Sequence, residues 1–304
     1  MDDTSQTAPA EIDPVELTAA VQQALASPAF RAPTLPAVAL EVMQLAARPN
    51  VQFGEVVDVL QRDPVLAARV LSIAQSAFYA SRSPVMSLHQ ATIRLGLKTL
   101  RDLVLEAALH LKIFRVPGHD EVMARLFRHS TAVAHVTRAI CRRTLVNAEY
   151  AFLCGLLHDV GFAAALLAIV DRPEWKRLPL AGIAPVLDAV HVGASGLLAR
   201  QWKLPLPIQH VVSHHHDVVV NGRVEQANAA LVIAEQLCWE AGAGMLPPPD
   251  DADPMSVHTP EAPLEGLDVN WTGTFEEARK ALKMQDLELG AARAEAFDLV
   301  AKLP

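Results

Sequence analysis

The sequence predicts an all-α fold, a bundle of many helices, and three observations support this prediction. Just over half of the 304 residues are hydrophobic (51%), whereas aromatic side chains make up only 5%. The apolar residues, mostly Ala, Leu and Val, occur in windows of about ten to twenty residues rather than in short alternating runs, which favours helices over strands. Helix-start signals also recur along the chain. A chain of this length and hydrophobic content can bury a sizeable core.

The clearest start signal is an aspartate followed directly by proline. Asp13 is predicted to be an N-cap with Pro14 as the first helical residue, and Asp63 and Pro64 repeat the device. The first helix has an apolar face formed by Leu17, Val21 and Leu25. It is expected to end before the proline-containing stretch 28–36.

Two further pairs have the spacing of a capping box. Ser87 and Gln90 predict the start of a short helix that Gly96 ends, and Thr274 and Glu277 predict the start of the final helices. Apolar periodicity predicts the remaining helices over 37–47, 97–110, 121–144, from 148 onward, 182–201, 205–213, 224–242, 275–284 and 286–302.

The charge balance argues against nucleic acid as a main partner. The formal net charge is −8, from 26 basic and 34 acidic residues, so we expect no broad cationic surface for phosphates. A local alternative is DNA binding through the helix pair 87–110, which carries Arg94, Lys98 and Arg101. We interpret these three residues more simply as a solvated face.

The cysteines and the N-terminal segment indicate a cytoplasmic protein. Cys141, Cys154 and Cys238 lie in apolar helical patterns without CxxC spacing, as expected for reduced, buried thiols. The first nine residues are polar and acidic, which excludes a secretory signal there. No uncharged apolar window reaches about eighteen residues, so we expect no membrane association and interpret 160–170 as a core helix.

A subset of the histidines and acids is spaced about one helical hairpin apart. Side chains that face inward from successive helices of a bundle meet at one point, so this spacing predicts a shared centre. Imidazole and carboxylate groups together are usual ligands for iron, manganese or zinc, and one carboxylate can bridge two metal ions. The subset comprises His129, His158, Asp159, His191, the run His214, His215, His216 and Asp217, and Glu235.

The run of three histidines limits how its members can act. Neighbouring helical residues point about 100° apart, so His215 and His216 can both be ligands only near a helix end. His214 is either an onlooker or a substitute for a neighbour, and Asp217 could orient an imidazole. The remaining histidines, His89, His110, His135 and His258 among them, are interpreted as surface or core residues.

These residues resemble a known family. The run 156–161, Leu-Leu-His-Asp-Val-Gly, is similar to the signature of the HD superfamily, and further positions in family order resemble the HDOD domain over about residues 33–240. The matching positions outside that run are Leu35, Pro36, Asp63, Pro64, Leu66, Ala67, Val70, Leu71, Leu95, Gly96, His191, Val192, Gly193, Ala194, Trp202, Leu204, Pro205, Ile208, His215 and His216.

The resemblance implies an N-terminal helical subdomain packed against an HD-like bundle. We place the subdomain at 29–115 and the bundle at 116–243, with a tail and helix over 1–28. The predicted proline-rich flexible loop covers 244–273, and the C-terminal helices cover 274–304.

Similarity to the related HD-GYP phosphodiesterases implies a metal-ligand set. The expected metal is iron or manganese, as one ion or as a pair. The implied ligands are His129, His158, Asp159, His191, His215, His216 and Glu235.

Three departures from the phosphodiesterases argue against hydrolysis. Phe162 stands where those enzymes place a lysine, which removes a cation that would stabilise phosphoryl charge. No Gly-Tyr-Pro motif follows Asp217. Glu235 replaces the usual aspartate, and its extra methylene moves a ligand oxygen by roughly 1 Å, which binding tolerates better than catalysis.

We therefore expect a stand-alone HDOD module of bacterial signal transduction that acts by binding a signalling protein. The alternative is a metal-dependent phosphohydrolase or phosphodiesterase, in which Asp159 is the catalytic residue that orients water. A nucleotide or cyclic dinucleotide is then the expected small-molecule partner.

Overall fold

Helices account for nearly all of the regular structure in the computed structural model, which confirms the all-α prediction. The structure describes residues 13–79, 85–144, 146–175, 178–245 and 271–303. In chain order the helices are α1 (Pro14–Ala26), α2 (Ala37–Ala46), α3 (Phe53–Leu60), α4 (Pro64–Ala74), α5 (Leu88–Lys112), α6 (Asp120–Arg143), α7 (Ala151–Leu157), α8 (Val160–Val170), α9 (Leu180–Gln201), α10 (Leu206–Ser213), α11 (Gln226–Glu240), α12 (Trp271–Ala281) and α13 (Asp286–Ala301).

Capping hydrogen bonds confirm three of the predicted helix starts. The Asp13 and Asp63 carboxylates accept from backbone N–H groups two and three residues later, both at 3.0 Å. The Ser87 hydroxyl accepts from the backbone N–H of Gln90 at 3.1 Å. The predicted break at Gly96 is also present, as a kink within α5 at a φ of 80° that only glycine adopts readily.

Two predicted caps differ from the structure. The Gln90 side chain accepts from the N–H of Met86 at 2.8 Å, one residue before the N–H that a capping box requires. The predicted start at Thr274 is wrong, because α12 begins at Trp271 and Thr274 lies within it. A Thr-x-x-Glu pattern also fits a helix interior, so by itself it does not fix the first turn.

Two elements were not predicted. Helix α3 carries its own start signal, since the Glu55 carboxylate accepts from the Gln52 N–H at 2.9 Å. A short antiparallel hairpin, β1 (Val219–Val220) and β2 (Arg223–Val224), follows α10. Its turn is Asn221-Gly222 with both φ angles positive, at 52° and 74°, which is the conformation that Asn-Gly hairpin turns adopt.

The helices pack as an N-terminal group beside a larger bundle, which confirms the predicted architecture. In the first group α2, α3 and α4 pack with α5, and in the second α6 packs with α7 and α11 while α8 packs with α9. Helix α5 contacts α7 and joins the groups, and α1 lies against α8 and α9. The predicted domain boundaries stay a prediction, and most of the predicted loop 244–273 lies outside the described residues.

The prediction of a solvated basic face on α5 is wrong for Arg101. Its side chain is only 5% exposed, and it donates to the Asp102 carboxylate at 2.8 Å and to Glu149 at 3.3 Å. Lys98 pairs with the same Glu149 at 3.1 Å. Two of the three cations proposed for DNA contact are therefore engaged in ion pairs across the interface between α5 and the start of α7.

Two helical segments are long and apolar enough to cross a membrane when judged by length and composition alone. They are 151–170, which spans α7 and α8, and 182–201, which lies in α9. Within the fold 89% of the first and 56% of the second is buried, and the first contains the predicted ligands His158 and Asp159. Residues 160–170 therefore lie in the core, as predicted.

Helix α8 lies unusually close to α9, and a glycine allows this approach. A Cβ atom on Gly161 would lie 2.0 Å from the carbonyl oxygen of His191 and 2.5 Å from the nitrogen of Ser195. The Gly161 N–H donates to the Ser195 hydroxyl at 2.7 Å across this contact. The contact fixes Asp159, at the start of α8, relative to His191 in α9.

We predict that Gly161→Ala lowers the free energy of unfolding by at least about 3 kcal/mol, because the added methyl group meets backbone atoms that cannot rotate away. Gly193→Ala in α9 is the matched control, since no atom lies within 4 Å of its added Cβ. That control is expected to be neutral or stabilising by up to about 1 kcal/mol. Urea denaturation followed by circular dichroism measures both, and equal effects would contradict the close-approach argument.

Candidate metal centre

The seven predicted ligand residues converge on one buried point, although they come from five different parts of the bundle. Helix α6 supplies one residue, the junction of α7 and α8 supplies two, and α9 and α11 supply one each, while two follow the end of α10. These residues are, in that order, His129, His158 and Asp159, His191 and Glu235, and His215 and His216.

The Asp159 carboxylate lies between two pairs of imidazoles. Its Oδ2 atom is 3.4 Å from Nε2 of His129 and 3.2 Å from Nε2 of His158. Its Oδ1 atom is 3.5 Å from Nε2 of His191 and 3.4 Å from Nε2 of His215. One carboxylate therefore joins two histidine clusters, which is the arrangement that a bridging ligand of a two-metal site requires.

Backbone carbonyls fix how these four imidazoles are oriented. Each Nδ1 atom faces a carbonyl oxygen, and a carbonyl can only accept, so each Nδ1 carries the hydrogen. In a neutral ring the Nε2 lone pair then points towards Asp159. The carbonyls for His129, His158, His191 and His215 belong respectively to Ala243, Gly155, Asp188 and Val212.

This orientation brings lone pairs face to face. Nε2 of His129 is 3.2 Å from Nε2 of His158, and Nε2 of His191 is 3.3 Å from Nε2 of His215. Two neutral acceptors repel at such distances unless a proton or a metal ion lies near both. Burial lowers the pKa of His191 to about 4, although the negative charge of Asp159 acts in the opposite direction. A second proton on the His191 ring is therefore disfavoured near neutral pH. The donor set therefore fits a divalent metal ion.

Glu235 and His216 complete the two clusters. Glu235 Oε1 is 3.1 Å from Nε2 of His158, yet neither carboxylate oxygen has a hydrogen-bond donor. The two observations agree if His158 carries its hydrogen on Nδ1. Nε2 of His158 and Oε1 of Glu235 are then both acceptors, and no hydrogen bond joins them. The His216 ring lies 4.3 Å from that of His215 and 5.0 Å from that of His191.

The electrostatics of the centre match its burial. Burial alone would raise the pKa of Asp159, but the imidazoles beside it, His158 first and then His129 and His215, hold that pKa well below its usual value. Burial and the nearby Asp159 charge raise the pKa of Glu235 well above its usual value. Burial, together with His215 and His191, lowers the pKa of His216 to about 2. A cation in the centre would stabilise both carboxylates as anions and all of the imidazoles as neutral ligands.

Phe162 fills the position where a lysine was expected in a phosphodiesterase. Its ring stacks on His191, with centroids 4.3 Å apart and planes 18° from parallel, and the side chain is buried. Within the described residues, the Asp159 and Glu235 carboxylates have ion-pair partners among the imidazoles only. The missing cation is thus replaced by a packing contact that orients His191.

Two neighbours of the site lie outside it. His214 is 40% exposed, and its Nδ1 atom lies 3.5 Å from the exposed carboxylate of Asp217. His214 was considered as a substitute ligand and Asp217 as a carboxylate that orients an imidazole. Both residues contact each other rather than the centre. The two residues belong to the turn after α10, in which the Asp217 N–H donates to the His214 carbonyl at 2.8 Å.

Sequence reasoning missed the carbonyls that orient the ligands. Three of them precede their histidine by three residues, at Gly155, Asp188 and Val212, so a helical turn before each histidine was a usable signal. The fourth, Ala243, lies 114 residues from His129 and follows the end of α11. Its role depends on tertiary packing, so no local pattern could reveal it.

The family profile of the HDOD domain matches residues 32–218. The chain belongs to the HDOD family. The match covers the N-terminal helical group and the HD-like bundle through the His215–His216 pair, so the family resemblance noted in the sequence is confirmed.

Solved structures share the HDOD fold over almost the whole chain. A candidate metal-dependent phosphohydrolase from Shewanella amazonensis SB2B is 18% identical, with a TM-score of 0.69 and 95% and 98% of the two chains covered. An HDOD domain protein from Geobacter sulfurreducens is 24% identical, with a TM-score of 0.65 and coverage of 94% and 97%. A candidate signal transduction protein from Marinobacter aquaeolei VT8 is 21% identical, with a TM-score of 0.58 and coverage of 98% and 69%.

Among curated proteins, an uncharacterized protein of Treponema pallidum (strain Nichols) is 23% identical over 196 residues. The match covers 61% of this chain and 38% of that protein. The HDOD chain thus spans well under half the length of this relative.

We predict that Mn²⁺ raises the melting temperature of chelator-treated protein. At about 100 times the dissociation constant, linkage gives about 2.7 kcal/mol. With an unfolding entropy of about 2.1 cal/mol/K per residue, this corresponds to roughly 4 °C for a chain of 304 residues. Asp159→Asn should abolish the rise because it removes the charge shared by both clusters. Asp171→Asn, an exposed position that caps the end of α8, is the control and should keep it. The absence of any rise for the unmodified chain with Mn²⁺, Fe²⁺ and Zn²⁺ would contradict metal binding.

Proposed function

We propose that this HDOD chain is a regulatory module that acts by binding a signalling protein, and that its HD-like centre holds iron or manganese without hydrolysing a phosphoester. The ligands would be His129, His158, Asp159, His191, His215, His216 and Glu235. The family assignment and the fold shared with a candidate signal transduction protein support the signalling context.

The observation that carries the non-catalytic proposal is the closure of the centre. Of the seven candidate ligands, six are no more than 6% exposed, and His216 is partly buried. A phosphoester must reach a metal ion and a nucleophile, so a site enclosed by its own ligands is suited to structure rather than turnover. Phe162, stacked on His191, gives that face of the centre no charge with which to hold a phosphate.

A metal ion would have a clear mechanical effect at this position. The candidate ligands come from α6, the α7–α8 junction, α9, α11 and the segment after α10, so metal binding would tie most of the bundle together. Since ligands must be deprotonated, the low pKa of Asp159 and the lowered pKa values of His191 and His216 favour occupancy near neutral pH. A rigid bundle presents a fixed surface to a partner, which reduces the ordering cost of binding.

One observation favours the alternative of a metal-dependent phosphohydrolase. A cavity of about 860 Å³ reaches His129, and Arg125 and Arg128 lie on its wall. Through it a nucleotide or cyclic dinucleotide would find cations that the Phe162 side of the centre lacks. In this reading a bound metal would lower the pKa of water, and Asp159 would orient that water.

Localisation in the cytoplasm is part of the proposal. The three cysteines are buried and unpaired, and burial raises the pKa of Cys141 and of Cys154 to about 12, so these thiols are unreactive. Such thiols suit a reducing compartment. We propose no nucleic-acid partner, since Arg101 and Lys98 are occupied by ion pairs.

We predict that the Mn²⁺-loaded or Fe²⁺-loaded chain does not hydrolyse cyclic di-GMP, cyclic AMP or bis(p-nitrophenyl) phosphate faster than its Asp159→Asn variant. Product formation followed by chromatography or absorbance measures this. Metal-dependent turnover that the Asp159→Asn substitution abolishes would overturn the non-catalytic proposal in favour of the phosphohydrolase.

A further inference from the structure

A second feature of the chain is a large cavity between the N-terminal helical group and the bundle. It encloses about 860 Å³, and its walls come from α4, α5, α6, the end of α11 with residues 242–244, and the residues that follow α13. Sites for small organic ligands typically enclose about 300 to 1,000 Å³ and often lie between subdomains. The cavity therefore has the size and the place of a ligand site.

Side chains on the cavity wall carry buried polar atoms without hydrogen-bond partners. Glu106 is 5% exposed and Thr131 is 4% exposed, and both Glu106 Oε2 and Thr131 Oγ1 are unpartnered. Two further wall atoms also lack a hydrogen-bond partner: Arg69 Nε and His110 Nδ1. Buried polar groups are ordinarily satisfied, so four such atoms around one cavity indicate a polar occupant.

The charge of the wall favours an anion. Four cations line the cavity, Arg69, Arg125, Arg128 and Lys302, together with the carboxylates of Glu106 and Glu121. Arg125 pairs with Glu121 and Lys302 pairs with Asp298, so among the described residues Arg69 and Arg128 are the wall cations without a carboxylate partner. Burial raises the pKa of Glu106 to about 7, despite the opposing charges of Arg69 and Arg138, so near neutral pH this side chain can be a neutral donor. The wall then carries still more positive charge.

Aromatic rings also line the wall. Phe78, Tyr79, Phe127 and Trp239 contribute rings, and His110 packs on Phe127 with centroids 4.6 Å apart. Rings of this kind hold flat apolar groups by stacking or edge-on contact. Together the cations and rings select a molecule that has both an acidic group and a planar body.

We propose that this cavity binds a small organic anion with a planar ring system, of about the size of a nucleotide, as the input to which the module responds. The acidic group, a phosphate or a carboxylate, would contact Arg69 and the donor groups beside it. Binding of this anion in the cavity does not depend on the proposed function, whereas its role as a regulatory input rests on that function.

Hydrogen bonds connect the cavity wall to the metal centre. His129 lies on the wall, and its Nδ1 donates to the carbonyl of Ala243, a wall residue, at 2.8 Å. Arg128, the neighbouring residue on α6, donates to the carbonyl of Gly242 at 3.0 Å. An anion that draws Arg128 away from Gly242 would shift the segment that orients His129.

The test is isothermal titration of the full chain with four probes: AMP and nicotinate, which pair a ring with a phosphate or a carboxylate, and adenosine and inorganic phosphate, which each have one feature only. At least one of the first two should bind with a dissociation constant below about 1 mM, and the single-feature probes should bind at least about tenfold more weakly. AMP binding alone identifies a phosphate site, and nicotinate binding alone identifies a carboxylate site.

Variants locate the site. Arg69→Gln and Thr131→Val should each weaken binding by about tenfold or more, because a charged or buried polar contact is lost. Arg62→Gln, an exposed arginine paired with Glu41, is the matched control and should bind as the unmodified chain does. Asp159→Asn should still bind the ring-bearing anion, which separates this site from the metal centre and from any hydrolytic activity.

Three results would overturn the proposal: no binding of AMP or nicotinate by the folded chain, equal binding of phosphate alone, or unchanged binding in both Arg69→Gln and Thr131→Val. Circular dichroism establishes that each variant is folded. Because the readout is heat of binding, failure here leaves the turnover assay for the proposed function unaffected.

Discussion

The structure of the candidate centre depends on a single carboxylate held between four imidazoles. Asp159 places one oxygen against His129 and His158 and the other against His191 and His215, all at 3.2 to 3.5 Å. Removing five polar groups from water is costly unless they are paired, and the four Nδ1 atoms are already engaged with carbonyls. A cation would therefore stabilise the inward Nε2 atoms, whereas their contacts with one another would not.

The fold is arranged so that this contact can form. The break between α7 and α8 lies at Asp159, where φ is −100° and ψ is 9°. Gly161 lets α8 lie directly against the backbone of α9 beside His191. Gly155 does the same for α7 and α6, since a Cβ there would lie 2.6 Å from the Cα of Ala134. Close packing of α8 on α9 and of α7 on α6 thus sets the distances among ligands that are far apart in sequence.

The spacing of histidines and acids predicted a shared centre, because side chains on successive helices of a bundle face a common axis. It also included His214 and Asp217, which lie outside the centre. The resemblance to the HD-GYP phosphodiesterases limited the set to the seven residues that converge. Aspartate–proline pairs likewise located the starts of α1 and α4. Local patterns failed where the deciding contact is distant in sequence. Arg101 looked like a surface cation but is buried against Asp102 and Glu149, which is 48 residues away.

The cavity beside His129 was also beyond the reach of sequence patterns. Arg69, Glu106 and Thr131 come from three separate parts of the chain and form no motif. Only the packing of the two helical groups leaves their polar atoms unpartnered on one wall. The structure therefore combines a closed, ligand-rich centre with an open polar cavity next to it. That combination suits a module that senses one molecule and binds another.

The most direct test of the central claim is the metal content of the purified chain after reconstitution with iron or manganese and removal of free ions, measured by elemental analysis. A centre that holds metal should retain about one to two ions per chain and should lose most of that metal in the Asp159→Asn variant. Less than about a tenth of an ion per folded chain would show that protons, rather than a metal, hold the imidazoles together, and would contradict the central claim.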